Sequence, residues 1–164
     1  MNSLICFLLL AFALPSTASE WKTVAEKGFV LKYRFVDGDI EVEMRSPRRG
    51  WVAVGFNPKP GLTGTHLVMG AVRGEAVELS ERKVLRPGEY PEVEALGGEK
   101  VVELKWGKEN ANGTVISFRM PAAYGDDFRH SLSPGSSIHL TLAYSMEDDF
   151  LHHSIMRTSI HTTL

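Results

Sequence analysis

The fold of this chain is decided by one continuous stretch, which is GWVAVGF (50–56), NPKPGLTGT (57–65) and HLVMGAV (66–72). Its two apolar, β-branched runs are typical of strands, and the Pro- and Gly-rich segment between them is typical of an irregular corner. Because local sterics set the shape of such a corner, it can hold Leu62, His66 or Met69 over a site. The stretch therefore predicts a strand, a corner and a second strand.

Regular alternation of apolar and polar residues continues on both sides of this stretch. Residues 29–36 and 40–44 alternate around an Asp37-Gly38 turn, and residues 101–106, 114–120 and 138–144 are further short runs. No apolar period of 3.6 residues persists. The pattern predicts an all-β chain, an antiparallel β-sandwich of roughly 8–11 strands.

The first residues are typical of a secretory signal peptide. Residues 4–14 form an unbroken apolar run, followed by Pro15 and the small residues 16–18. We therefore predict a signal peptide over residues 1–18 and a single domain over residues 19–164, in a secreted, periplasmic or cell-surface protein. The alternative for the apolar run is a buried N-terminal strand or short helix. Cleavage after Ala18 would remove Cys6, the only cysteine.

Charge and motif content exclude several function classes. The formal net charge is −2, from 18 basic and 20 acidic residues in mixed order, so no basic stripe is available for nucleic acid. The mature chain contains no second apolar run of about 18 residues, so we predict no membrane span in it. A partner could still carry a membrane anchor. A Gly-x-Ser-x-Gly elbow and a dinucleotide fingerprint are both missing from the sequence. We therefore predict a protein that is not an enzyme.

Histidine and methionine are the residues that could carry chemistry. Six histidines are present, including the pair His152-His153 after an acidic loop, while His66 and Met69 lie on or beside the strand that leaves the corner. An imidazole together with a thioether is typical of electron-transfer haem iron. The alternatives are a core Met with surface histidines, or a zinc or copper site formed by the histidine pair with Asp148 or Asp149.

The central stretch and the C-terminal segment together resemble the DOMON family. The resemblance rests on residues 50–56, the corner, residues 67–72, and the segment 142–157 with its Asp-Asp-Phe, His153 and Arg157. It implies an immunoglobulin-like β-sandwich, found in secreted or periplasmic proteins, that binds b-type haem or sugars. It also implies one axial ligand from the corner and one from the C-terminal segment, with electrons passing to a redox partner or a membrane-anchored partner.

When the ligand positions of the family are transferred to this sequence, the resemblance implies His153 as the C-terminal ligand of haem b, with His152 as the adjacent alternative. Arg157 stands where such relatives keep a basic residue near the haem edge. Leu62 stands where many of them have Met, and leucine offers no lone pair. The second ligand is therefore Met69 or His66, or the iron is five-coordinate, or the site holds no haem.

Two other functions remain open at this point. A carbohydrate-binding module would need exposed aromatic faces, for which Trp51, Trp106, Tyr90 and Tyr124 are the candidates. The second alternative is an interaction domain that binds no ligand.

Overall fold

The computed structural model describes residues 18–164 of the chain. The predicted signal peptide lies outside the described residues except for Ala18, and it stays a prediction. The described part contains ten strands and one short 3₁₀ turn at Glu94–Leu96. The strands are β1 Lys22–Glu26, β2 Phe29–Val36, β3 Asp39–Arg45, β4 Val52–Asn57, β5 His66–Arg73, β6 Ala76–Lys83, β7 Glu103–Asn110, β8 Gly113–Pro121, β9 Ser137–Tyr144 and β10 Met156–Thr163.

These strands form two five-stranded sheets, ordered β1-β2-β3-β8-β7 and β10-β9-β4-β5-β6. Every strand pairing in the described residues is antiparallel. One apolar core takes side chains from both sheets, including Leu31 and Ile116 of the first and Val54 and Leu142 of the second. The predicted all-β class and antiparallel sandwich are confirmed.

The turn between β2 and β3 explains the register of the first sheet. Asp37 has φ 50° and Gly38 has φ 86°, which suits a two-residue turn whose twist matches the flanking strands. Phe29, Leu31 and Tyr33 consequently face the core together. The alternation in residues 29–36 thus corresponds to one strand face that packs in the core.

The strands of the central stretch are buried on both faces. β4 lies between β9 and β5, and all six of its residues are buried. Gly70 of β5 lies against the other sheet, where an added Cβ would come within 2.8 Å of Ile116 Cγ1. A glycine here lets the two sheets approach closely, because any larger residue would push them apart.

Among residues 18–164, none of the helical segments has the length and hydrophobicity that a membrane crossing requires.

Candidate functional site

The outer face of the second sheet carries a cavity of about 730 Å³. Small residues of the central strands form its floor, among them Ala53, Thr141 and Ala143. On the inner face of the same strands, Val54 and Leu142 are fully buried in the core. Alternation along each strand thus gives a tightly packed inner face and an outer face with room for a ligand.

Three loop segments enclose this cavity. The corner between β4 and β5 contributes Leu62 and Thr65, and the segment that follows β6 contributes residues 84 and 87–91. The loop between β9 and β10 contributes residues 151–154. The central stretch of the sequence therefore provides both the floor and one wall.

One cross-strand row organises the floor. Met69 pairs with Ala53, Ala53 pairs with Ala143, and Ala143 pairs with Arg157. All four residues line the cavity. Two alanines thus separate a thioether on β5 from a guanidinium on the edge strand β10.

Five of the six residues singled out from the sequence line this one cavity. They are Leu62, Met69, His152, His153 and Arg157. Met69 is 2% exposed at the floor, whereas both histidines are exposed on the loop after β9. Residues far apart in the chain are brought together because the loop folds back over the sheet.

The sixth residue, His66, does not line the cavity. His66 and Met69 are three positions apart on β5, so their side chains leave opposite faces of the strand. The His66 side chain is fully buried, and its Nε2 lies 2.8 Å from Glu81 Oε1. A haem site with His66 as second axial ligand is therefore not supported by this arrangement.

His66 belongs to a buried polar network that the sequence analysis missed. Glu81 Oε1 also accepts a hydrogen bond from Arg129 Nε at 2.7 Å, and Glu81 Oε2 accepts one from the Val101 amide at 2.9 Å. Arg129 in turn pairs with Asp126. The network fastens the segments around residues 101 and 129 to β6. One feature of the sequence could have revealed it: Glu81 is two residues from the core residue Leu79 on the same strand, so its carboxylate must point towards the core.

Burial and hydrogen bonding set the ionisation states in this network. Burial raises the pKa of the Glu81 carboxyl, but hydrogen bonds from His66, Arg129 and Val101 outweigh it and bring that pKa to about 2. Burial lowers the pKa of His66, and the attraction of Glu81 only partly opposes this. The network therefore contains an ionised carboxylate and a neutral imidazole whose Nε2–H donates to it.

The corner over the cavity is held by Asn57 at the end of β4. Asn57 Nδ2 donates to Gly61 O at 3.2 Å, Thr63 O at 3.0 Å and Thr65 Oγ1 at 3.1 Å. His130 Nε2 lies 2.9 Å from Gly64 O. The wall that carries Leu62 is therefore fixed by side chains as well as by its own prolines.

The loop that carries the histidine pair is held by the start of the central stretch. Trp51 N donates to Glu147 O at 3.0 Å, and Ser145 N donates to Trp51 O at 3.0 Å. Ser145 Oγ donates to the His153 carbonyl at 3.1 Å. The position of His153 is thus linked through Ser145 to Trp51, the residue that precedes β4.

Two polar groups beside the cavity lack partners in the described part of the chain. The buried Trp51 Nε1 has no hydrogen-bond acceptor, although Trp51 lines the cavity. Arg157 forms no ion pair with any of residues 18–164. Arg82, by contrast, is bonded to Ser80 Oγ at 2.8 Å and to Tyr90 O at 3.2 Å. A ligand with acceptor groups could therefore pair with Trp51 and Arg157.

A zinc or copper site at the histidine pair is not formed in the described residues. Within residues 18–164, no group of three or more His, Cys, Asp and Glu side chains could hold a metal ion. His152 Nδ1 lies 3.4 Å from Asp149 Oδ2, and both side chains are more than half exposed.

The aromatic side chains proposed for sugar stacking do not form a common platform. Trp51 is 4% exposed and packs in the cluster under the cavity, while Tyr90 forms part of the cavity wall. Tyr124 lies beside His66 at 6.1 Å between ring centroids. Trp106 is exposed on β7, an edge strand of the other sheet.

The fold and the cavity define the class of this protein: a two-sheet antiparallel β-sandwich with a ligand-sized apolar cavity on the outer face of one sheet. The sequence matches the DOMON domain family over residues 25–145, and the chain belongs to that family.

Two solved structures share the fold at low sequence identity. The cytochrome b domain of pyranose dehydrogenase from Coprinopsis cinerea superposes with a TM-score of 0.64 and 12% identity, covering 87% of this chain and 81% of that one. The cytochrome domain of cellobiose dehydrogenase from Myriococcum thermophilum gives a TM-score of 0.60 and 11% identity, covering 88% and 81%.

Proposed function

We propose that this protein is a secreted DOMON module that binds b-type haem and passes single electrons to a partner protein. The observation that carries the proposal is the cavity in which the His153 imidazole, the Met69 thioether and the Arg157 guanidinium surround an alanine floor. The similarity to two cytochrome domains supports it at the level of the fold.

The residues of the cavity fit this cofactor. Haem b supplies a one-electron iron couple when it is bound. His153 offers a nitrogen ligand on the loop after β9, and Met69 offers a sulfur ligand on the floor, which favours ferrous iron and raises the potential. Leu62 has no donor atom and contributes apolar surface that excludes water.

The unpaired polar groups fit the acidic edge of the same cofactor. Among residues 18–164 the Arg157 guanidinium has no ion-pair partner, so it can hold a propionate carboxylate at the cavity by charge-assisted hydrogen bonds. Trp51 Nε1 is a buried donor without an acceptor, and such a donor costs free energy until a ligand satisfies it. An acceptor on the bound ligand would remove that cost.

In this role no side chain of the protein acts as a catalyst. Electron transfer requires a suitable potential and a short distance to the partner, and neither requires proton transfer or covalent chemistry from the protein. The partner is a redox protein, soluble or membrane-anchored, and the signal peptide over residues 1–18 would direct the domain to the same compartment.

The first experiment is haem reconstitution of the purified protein, followed by absorption spectra of the oxidised and reduced states. We expect a Soret band that shifts on reduction, and we expect His153→Ala to lose that shift. His161→Ala is the matched control, because it also removes one exposed imidazole but does not line the cavity. An unchanged spectrum in His153→Ala would remove His153 from the site.

A second experiment tests the cavity independently of the ligand atoms. Ala143→Leu places a larger side chain on the floor, and we expect it to reduce haem uptake while the far-UV circular dichroism stays that of a β protein. Ala25→Leu makes the same change on the exposed strand β1 and should bind haem normally. Equal uptake by both variants would contradict the location of the site.

A further inference from the structure

A second group of histidines lies outside the cavity, on the outer face of β9 and β10. His139 and His161 are direct cross-strand partners. Their rings are stacked, with centroids 4.5 Å apart and an interplanar angle of 22°. His161 Nε2 also lies 2.6 Å from Ser137 Oγ. Neither imidazole forms an ion pair with a carboxylate among residues 18–164.

The strand pairing places the two imidazoles within reach of one metal ion. A metal that binds two imidazole nitrogens at about 2.1 Å each holds them no more than about 4.2 Å apart. The ring centroids are only 4.5 Å apart, but the lone pairs of stacked imidazoles lie in their own ring planes, so both side chains must rotate before one nitrogen of each can point to the same ion. The strand pairing already holds both residues on one face, so little further entropy is lost when an ion binds.

The open side of the pair suits a metal that completes its coordination with water. β10 is an edge strand and His161 is exposed, so solvent can reach the remaining coordination positions. Among divalent first-row ions, copper(II) binds nitrogen ligands most tightly and accepts a tetragonal set of nitrogen and oxygen donors. The hydrogen bond to Ser137 orients the His161 ring, as outer hydrogen bonds do for metal-binding histidines.

We propose that His139 and His161 form a surface site for a divalent late transition-metal ion, with copper(II) bound most tightly, and with water as the other ligands. The site is separate from the cavity. Thr141 lines the cavity, and His139 lies two residues further along the same strand, about 7 Å away. Binding at this site needs no haem.

The experiment is a titration of the haem-free protein with copper(II). Calorimetry measures the affinity and the stoichiometry, and electron paramagnetic resonance identifies the nitrogen ligands. We expect one equivalent of copper with hyperfine splitting from two imidazole nitrogens. His139→Ala and His161→Ala should each weaken binding by about tenfold or more. His130→Gln, which also removes one imidazole, should leave the copper affinity unchanged.

Two results would overturn the proposal. One is copper binding of unchanged affinity in the double variant His139→Ala/His161→Ala, and the other is a spectrum with coordination from a single nitrogen. The same double variant should take up haem normally, because neither residue lines the cavity. Failure of the copper site and failure of the proposed haem site are therefore separate outcomes.

Discussion

Met69 and Arg157 lie at opposite ends of one cross-strand row, with only Ala53 and Ala143 between them. Neighbouring strands are about 4.8 Å apart, so three spacings place the two backbones about 14 Å from each other. A flat ligand lying on the two alanines can therefore contact a sulfur atom on one side and a positive charge on the other. This relationship makes the two residues testable separately.

Met69→Leu should remove a sulfur ligand without removing the cavity. Leucine has nearly the same volume, so we expect a loss of stability below about 1.5 kcal/mol. In the haem-loaded protein we expect a shift towards the high-spin spectrum and a reduction potential lower by about 0.1 V or more, within the roughly 0.8 V that axial ligands control. Absorption spectra and redox titration measure both effects.

Met44→Leu is the matched control for this change. Met44 is fully buried in β3 of the other sheet, and it does not line the cavity. It should leave the spectrum and potential unchanged at a similar cost in stability. If Met69→Leu behaves in the same way, the iron has no sulfur ligand from Met69.

The fold and part of the site could be predicted because strand alternation is a local property of the sequence. The run 52–56 alternates Val52, Val54 and Phe56 with small residues, and this single pattern determines both the packed core and the shallow outer floor. Alternation also separates Met69 from His66, since residues three apart on a strand face opposite ways. That distinction could have been made from the sequence once the strand was assigned.

The buried network could not be predicted in the same way. Glu81 and Arg129 are 48 residues apart, and Arg129 lies in a polar segment without regular periodicity. Their pairing depends on how the loop between β8 and β9 returns to the edge of the second sheet. The alternation of apolar and polar residues does not determine the path of such a loop. The sequence therefore indicates only that Glu81 is a charged residue at an inward-facing position of its strand.

Glu81→Gln should destabilise the fold strongly. The substitution removes the buried carboxylate that pairs with Arg129 and leaves that guanidinium only its pair with Asp126, and breaking a buried pair in this way costs about 3–5 kcal/mol. Glu78→Gln is the control on the same strand, because its pair with Arg73 is about half exposed and should be worth less than about 1 kcal/mol. Urea unfolding compares the two, and equal losses would contradict the importance of the network.

Stability should fall as the pH is lowered from neutral, in two stages. His66 has a pKa below its ordinary 6.5 in the fold, so below pH 6.5 the unfolded chain binds a proton that the native state does not. Glu81 has its pKa lowered from 4.5 to about 2, so its contribution, about 3 kcal/mol, is present above pH 4.5 and is lost towards pH 2.

Unfolding free energies measured over this pH range test both stages. His66→Gln should remove the decrease between pH 6.5 and 4.5 and keep the one below it. A wild-type protein equally stable at pH 7 and pH 5 would contradict the assignment of a neutral, buried His66.

Gly50→Ala should displace the loop that carries His153. Gly50 has φ 113°, and an added Cβ would come within 2.6 Å of Ser145 O. Gly74→Ala is the control, since Gly74 also has positive φ, at 63°, but no atom lies within 4 Å of its added Cβ. Both variants should lose about 1–2 kcal/mol from backbone strain, and Gly50→Ala should lose more because its clash is with backbone.

Thermal unfolding gives the difference, and haem titration should show weaker uptake only in Gly50→Ala. If the two variants unfold and bind alike, the contact between the central stretch and the C-terminal loop does not position His153.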